Sequence, residues 1–241
     1  MHFRVKNLLF IFLSIILLSA CTGYEKVLKS NDVNYKLVKG NEFYDKKLYP
    51  QANAIYESLL PVMKNTRNYE ALYYKYAYSF YYMKDYLSAS YHFKNFTEFF
   101  PTSKDAEEVE FMHALCLYRM SPKASMEQTY TAKALDALQN FINTHPDSKR
   151  LDEANKYVDE CRKKLEEKQA LAAELYYDIG QYRAAGIAYR ALMRDYPEST
   201  SSDKYQYMII KSWYNFAKVS IAEKQEERYA TALNAYQELV D

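Results

Sequence analysis

Residues 77–101 read AYSFYYMKDYLSASYHFKNFTEFFP, and residues 173–197 read AELYYDIGQYRAAGIAYRALMRDYP. Both begin with alanine and carry an aromatic residue at offset 3, alanine at offset 12, an aromatic at offset 16 and proline at offset 24. Ala77, Phe80, Ala89, Phe93 and Pro101 therefore stand opposite Ala173, Tyr176, Ala185, Tyr189 and Pro197. Small residues at helical intervals let two helices cross closely, and aromatic rings fill the space beside the crossing. Proline ends the second helix because it has no N–H with which to continue the ladder. Each stretch thus predicts a helical hairpin, and the shared spacing predicts the same hairpin twice.

The pattern extends in both directions. Gly40, Phe43, Ala52 and Tyr56 repeat its first four positions, with Lys64 in place of the proline. Ala114 and Leu117 open another copy, which resumes after an eight-residue insertion at Ala134, Leu138 and Pro146. Ile210, Trp213, Ala232 and Tyr236 form a fifth, with ten extra residues between its halves. This spacing resembles the tetratricopeptide repeat, a helical hairpin of about 34 residues. The resemblance implies an all-α solenoid of about five hairpins, stacked so that they bury a continuous core none could bury alone.

From Leu151 to Asp178 there is no helix breaker, which predicts one helix of 28 residues, about 42 Å long. It divides the chain into three repeats over 31–148 and the long helix with two repeats over 149–241. Its middle, Cys161 to Lys168, is nearly all charged. A solvated face supported by pairs such as Glu160 with Lys164 is expected there. The chain stops at QELVD, just before the proline position of the fifth repeat, so the natural sequence is expected to continue.

The N-terminus, MHFRVKNLLFIFLSIILLSAC, has the layout of a secretory signal: Arg4 and Lys6, an apolar run, then small residues. Leu18-Ser19-Ala20-Cys21 resembles the lipobox of bacterial lipoproteins, which implies that 1–20 is a signal peptide cut before Cys21. The cysteine would then carry diacylglycerol and an N-acyl chain, and 21–30 would be a tether. At about 0.8 kcal/mol per buried CH₂, several chains anchor a protein firmly. No acidic cluster follows Thr22, and the soluble part is expected in the periplasm.

Without residues 1–20, the remaining 30 basic side chains face 31 acidic ones, a net charge of −1 with histidine neutral. That balance gives no reason to expect nucleic acid as a partner. Only four glycines occur, and they are never clustered, which argues against a phosphate-cradling loop. His113 and Cys116 are spaced to share a helix face but have no further ligand nearby, so core or groove packing is the expectation. Cys116 and Cys161 are expected to be unpaired and structural, no serine or cysteine has the partners of a nucleophile, and no cofactor and no enzymatic activity are expected.

Tyrosine is abundant, with 27 in 241 residues. The repeat register turns Tyr74, Tyr78, Tyr81 and Tyr82 toward the concave side, with Leu37, Asn41, Tyr44 and Asp45 in the first repeat and Phe111, Leu115, Tyr118 and Arg119 in the third. Tyr73, Phe80, Tyr86 and Phe93 fall at packing positions. Tyrosine offers a large face, few rotors and a hydroxyl that tolerates water, which suits it to binding. The concave set is therefore expected to form a peptide groove, and loss of Tyr78 and Tyr82 together is expected to weaken binding while sparing stability.

Lipobox, short tether, three repeats, long helix and two more repeats, with AELYYDIGQYRAAGIAYRALMRDYPEST opening the second half, together resemble the BamD family. These are the lipoprotein subunits of the outer-membrane β-barrel assembly machine. The resemblance implies a scaffold at the inner leaflet of the outer membrane. Its C-terminal half would dock on the periplasmic domains of the barrel subunit BamA, with Arg194, Asp195 and Glu198 at the turn around Pro197 as candidate contacts. Its N-terminal half would receive unfolded outer-membrane proteins through a C-terminal targeting strand ending in an aromatic residue, whose carboxylate Arg119 would meet. Other assembly lipoproteins are further implied partners. Three other readings stay open: a repeat lipoprotein coordinating cell-wall synthesis, a wall lytic enzyme with a helical superstructure, and a glycan-capturing lipoprotein. The enzyme needs a catalytic domain beyond the repeats, and the glycan binder long insertions. Capture of BamA separates the first from the scaffold.

Overall fold

The computed structural model describes residues 23–240, so the expected signal peptide and the lipidation at Cys21 lie outside the described residues. Residues 23–28, within the expected tether, are helical with Val27 buried in the core; after them in chain order come α1 (Val33–Asp45), α2 (Tyr49–Met63), α3 (Tyr69–Tyr82), α4 (Tyr86–Phe99), α5 (Ala106–Met120), α6 (Thr129–Thr144), α7 (Leu151–Asp178), α8 (Tyr182–Asp195), α9 (Ser202–Lys218) and α10 (Ala222–Val240). Among the described residues there is no strand. The fold is all-α and of the tetratricopeptide-solenoid class, and α7 has the bounds read from the sequence. No helix among the described residues is long and apolar enough to cross a membrane.

The hairpin turns show why the repeat recurs. Lys47, Lys84 and Gly180 each stand seven residues after the small residue that opens their repeat, and each has a left-handed backbone with φ of 60°, 64° and 77°. In each turn two amides return to the helix end: Leu48 to Phe43 O at 2.9 Å and Lys47 to Tyr44 O at 2.8 Å, with equivalents at Asp85 and Lys84 and at Gln181 and Gly180. This double bond pattern satisfies carbonyls that the helix end leaves open, and it needs one left-handed residue. Glycine supplies it without strain, whereas a lysine there costs about 1 kcal/mol. The prolines close the other end. Phe100 and Tyr196, immediately before Pro101 and Pro197, have left the helical region at φ −131°, ψ 61° and φ −132°, ψ 64°, as the ring of a following proline requires.

By packing, the chain forms two compact units. One holds the residues up to Met120 with Asn143–Pro146, and the other holds Ser121–Ile142 with Asp147–Asp241. This is a division by contact, where the sequence reading divides by repeat. In the first unit Ala52, Ile55, Tyr56, Leu59, Leu72 and Tyr76 form a buried core, and Phe43, Tyr44 and Phe80 pack on it. A Cβ on Gly40 would sit 3.0 Å from the buried Tyr56 ring, so the close crossing expected of the small positions is present. In the second, Ala173, Tyr189, Leu192, Tyr205 and Ile209 form the core.

The eight-residue insertion is the loop Ser121–Gln128. Buried Gln128 staples it, donating to the carbonyls of Lys123 at 2.8 Å and Met126 at 3.0 Å and accepting from the Thr131 hydroxyl at 2.6 Å. The charged middle of α7 is less uniformly solvated than expected. Lys164 donates to Ser121 Oγ at 2.7 Å and Lys168 to Ser125 O at 3.1 Å, while Glu166 accepts from Ser199 and from the Tyr205 hydroxyl.

Candidate functional site

The concave residues of the first unit come from α1, α3 and α5, the opening helices of three hairpins. On α1, Asn41 Oδ1 accepts from the Tyr56 hydroxyl at 3.0 Å and from Lys75 Nζ at 2.9 Å. Lys75 lies 5.2 Å from the centre of the Tyr44 ring and 4.0 Å from Asp45. Tyr82 stacks on Tyr49 at 4.6 Å and stands 6.1 Å from Tyr44, so the first two hairpins share a tyrosine wall. Tyr74 and Tyr78 follow one turn apart, their ring centres 4.6 Å from each other. Arg119, exposed near the end of α5, sets its positive charge near the Tyr81 hydroxyl. The result is a half-buried aromatic surface with an exposed guanidinium beside it, suited to rings, apolar side chains and a carboxylate.

Two of the expected lining residues need correction, and a third recedes with them. Phe111 is 0% exposed, and Tyr78 only 7%. Phe93 meets the Tyr78 ring edge-on at 5.0 Å, and the Tyr78 hydroxyl donates to Glu108 at 3.2 Å. Leu115 is buried as well. These side chains are core that underlies the surface. Tyr74, Tyr81 and Tyr118 are half-buried, as are Asn41 and Tyr44, while Tyr82 is 44% exposed. Burial pushes the hydroxyls of Tyr44, Tyr74, Tyr78 and Tyr81 above the ordinary tyrosine value, so they are neutral donors and acceptors at any physiological pH.

Behind this surface lie two histidines. His92 Nδ1 is 3.0 Å from the Tyr73 hydroxyl and its ring stacks on Phe80; His113 Nδ1 is 2.9 Å from Ser90 O. Burial lowers both below the ordinary value of 6.5. The fold therefore favours the neutral ring, and that contribution is complete above the ordinary value and lost as pH falls through the lowered folded one. The melting temperature is expected to fall by several degrees between about pH 7.5 and about pH 5, with a smaller fall in His113→Gln. A flat profile would remove the histidines from the stability account. Cys116 and Cys161 are buried free thiols, pushed up to about 12 and about 11 by burial. Among the described residues no group of three His, Cys, Asp or Glu is placed to hold a metal.

In the second unit, Asp195 and Glu198 line an open cleft of about 1,110 Å³ between α7 and the turn joining α8 to α9, with Arg162, Lys163 and Lys204 on the same walls. Arg194 is turned to its neighbour, with Nη2 3.0 Å from Asp195 Oδ1. The three expected docking residues therefore share one turn, but the arginine is already engaged. Sequence reasoning left the concave positions of the fourth and fifth repeats unread. The same register marks Ala170, Glu174, Tyr177 and Asp178, then Tyr207, Lys211, Tyr214 and Asn215.

Helical hairpins that bury their small register positions and leave aromatic concave surfaces define a tetratricopeptide-type binding scaffold. Residues 32–229 match the family YfiO, described as outer membrane lipoprotein, and the chain belongs to that family. It is 28% identical over 202 residues to a protein of Aquifex aeolicus (strain VF5) called putative outer membrane protein assembly factor BamD. That match covers 83% of this chain and 66% of the relative, so the chain spans just under two thirds of the relative's length. The resemblance to the BamD family is thus borne out over the repeats.

Proposed function

We propose that this protein is a non-enzymatic scaffold in the assembly of outer-membrane β-barrel proteins, anchored by lipid on Cys21 at the periplasmic face of the outer membrane. Its first unit receives unfolded clients through their C-terminal strand. Its second unit docks on a BamA-like barrel subunit, with Asp195 and Glu198 at the cleft the natural contact. Family membership supports the general role. The observation that carries the client site is the tyrosine wall ending at exposed Arg119. An aromatic terminal residue can stack on Tyr82 or Tyr44 while its carboxylate pairs with the guanidinium.

The test is fluorescence anisotropy with a short client peptide ending in phenylalanine and a free carboxylate. Arg119→Glu is expected to weaken binding by about tenfold or more, with helix content preserved. Amidating the peptide should cost the unaltered protein a similar factor. If Arg119→Glu and amidation both leave the affinity unchanged, the terminal carboxylate is not read at this site.

A further inference from the structure

The fourth residue after each repeat's opening position is tyrosine in all five hairpins: Tyr44, Tyr81, Tyr118, Tyr177 and Tyr214. In three of these repeats it lies at the helix end that the left-handed turn pins, since Tyr44, Tyr81 and Tyr177 carbonyls each accept a turn amide. A ring held this way is presented at fixed depth.

The two units use this ring alike and finish it differently. In the first, Lys75 from the next opening helix lies 5.2 Å from the Tyr44 ring centre, and its charge is met by Asn41 and Asp45. In the second, Lys211 from the next opening helix lies 4.9 Å from the Tyr177 ring centre and 5.9 Å from that of Tyr207. Asn215 fixes Tyr177 by donating to its hydroxyl at 2.6 Å. Here no carboxylate among the described residues lies within ion-pair distance of Lys211. Tyr207 and Tyr214, on either side of it along α9, are 55% and 50% exposed. Lys211, set against the rings of Tyr177 and Tyr207 with Tyr214 beyond it and with Glu174 and Asp178 of the same concave register outside ion-pair distance, is open to a carboxylate next to an aromatic or apolar group.

We infer that this face of the second unit is a second client-binding site, taking an extended segment in which an internal aspartate or glutamate sits beside aromatic residues. Tyr207 and Tyr214 are seven residues apart on one helix face, about 10 Å along the axis; in an extended strand alternate residues share a face at about 7 Å spacing, so aromatic, acidic and aromatic residues at every second position turn all three side chains to this face. The acidic side chain meets Lys211 between the rings. The inference rests on the scaffold reading above but uses a different surface and a different carboxylate.

The test uses the full chain and a fluorescein-labelled peptide, amidated at its C-terminus, with a Phe-Ser-Asp-Ser-Phe segment among serines. A Phe-Ser-Asn-Ser-Phe counterpart and the free-carboxylate client peptide run beside it. The aspartate peptide is expected to bind, the asparagine version about tenfold more weakly, and Lys211→Glu to lose about tenfold or more for the aspartate peptide. Lys211→Met, which keeps the stem against the rings, checks that the loss follows charge, with helix content by circular dichroism as the folding control. Binding that ignores Lys211→Glu, or that treats aspartate and asparagine alike, overturns the inference and leaves the first-unit site standing. If the free-carboxylate peptide fails to bind while the amidated one binds through Lys211, the first-unit reading falls and this one remains.

Discussion

Phe111→Ala is expected to destabilise the first unit by about 3–5 kcal/mol, the range for removing a buried aromatic ring. Phe111 is fully buried in α5, which packs on α4 within that unit. Truncation removes both its transfer free energy and the contacts of a ring whose surroundings relax only in part. Phe111→Leu, which keeps much of the volume, should lose clearly less. Urea unfolding followed by far-ultraviolet circular dichroism measures both. The neighbouring Arg119→Glu, at an exposed site, should stay within about 0.5 kcal/mol of the unaltered protein. If Phe111→Ala were as stable as Arg119→Glu, the ring would be surface and the groove would run as the repeat register alone suggested.

That contrast shows what could be read beforehand. Offsets of small residues, aromatics and prolines reflect the period of the helix and the crossing of two helices, which are local constraints. They located the hairpins, the ends of α7 and an eight-residue insertion between Leu117 and Ala134. Register also gives the direction in which a side chain leaves its helix, but not how deeply the next helix covers it. Tyr78 and Tyr82 are four residues apart on one face of α3, yet one is covered by Phe93, Tyr74 and Glu108 while the other reaches solvent. Lys47 and Lys84 escaped notice because lysine has no turn signature, whereas Gly180 in the equivalent position has one. The cradle of Lys211 needs two helices brought together, and only its register was legible.

Tyr78→Ala and Tyr82→Ala should therefore part company, although the sequence pairs them. Tyr78 sits edge-on to Phe93 at 5.0 Å, beside Tyr74 at 4.6 Å, with its hydroxyl on Glu108. Alanine there removes a buried ring and leaves space the helices cannot close, and a loss of about 3 kcal/mol is expected. That corresponds to roughly 6–12 °C in melting temperature for a chain of this size. Tyr78→Phe removes only the hydroxyl and should lose about 1 kcal/mol. Tyr82 is 44% exposed and stacks on Tyr49 at 4.6 Å. Its alanine variant gives up an aromatic pair at the surface, about 1 kcal/mol, and should weaken binding of a client peptide ending in phenylalanine. The double variant then melts early because of Tyr78 and binds poorly because of Tyr82. Thermal unfolding and peptide anisotropy on the two single variants separate the contributions. Equal melting temperatures for the two would mean that Tyr78 packs no more tightly than Tyr82, and normal peptide binding by Tyr82→Ala would remove the exposed ring from the client site.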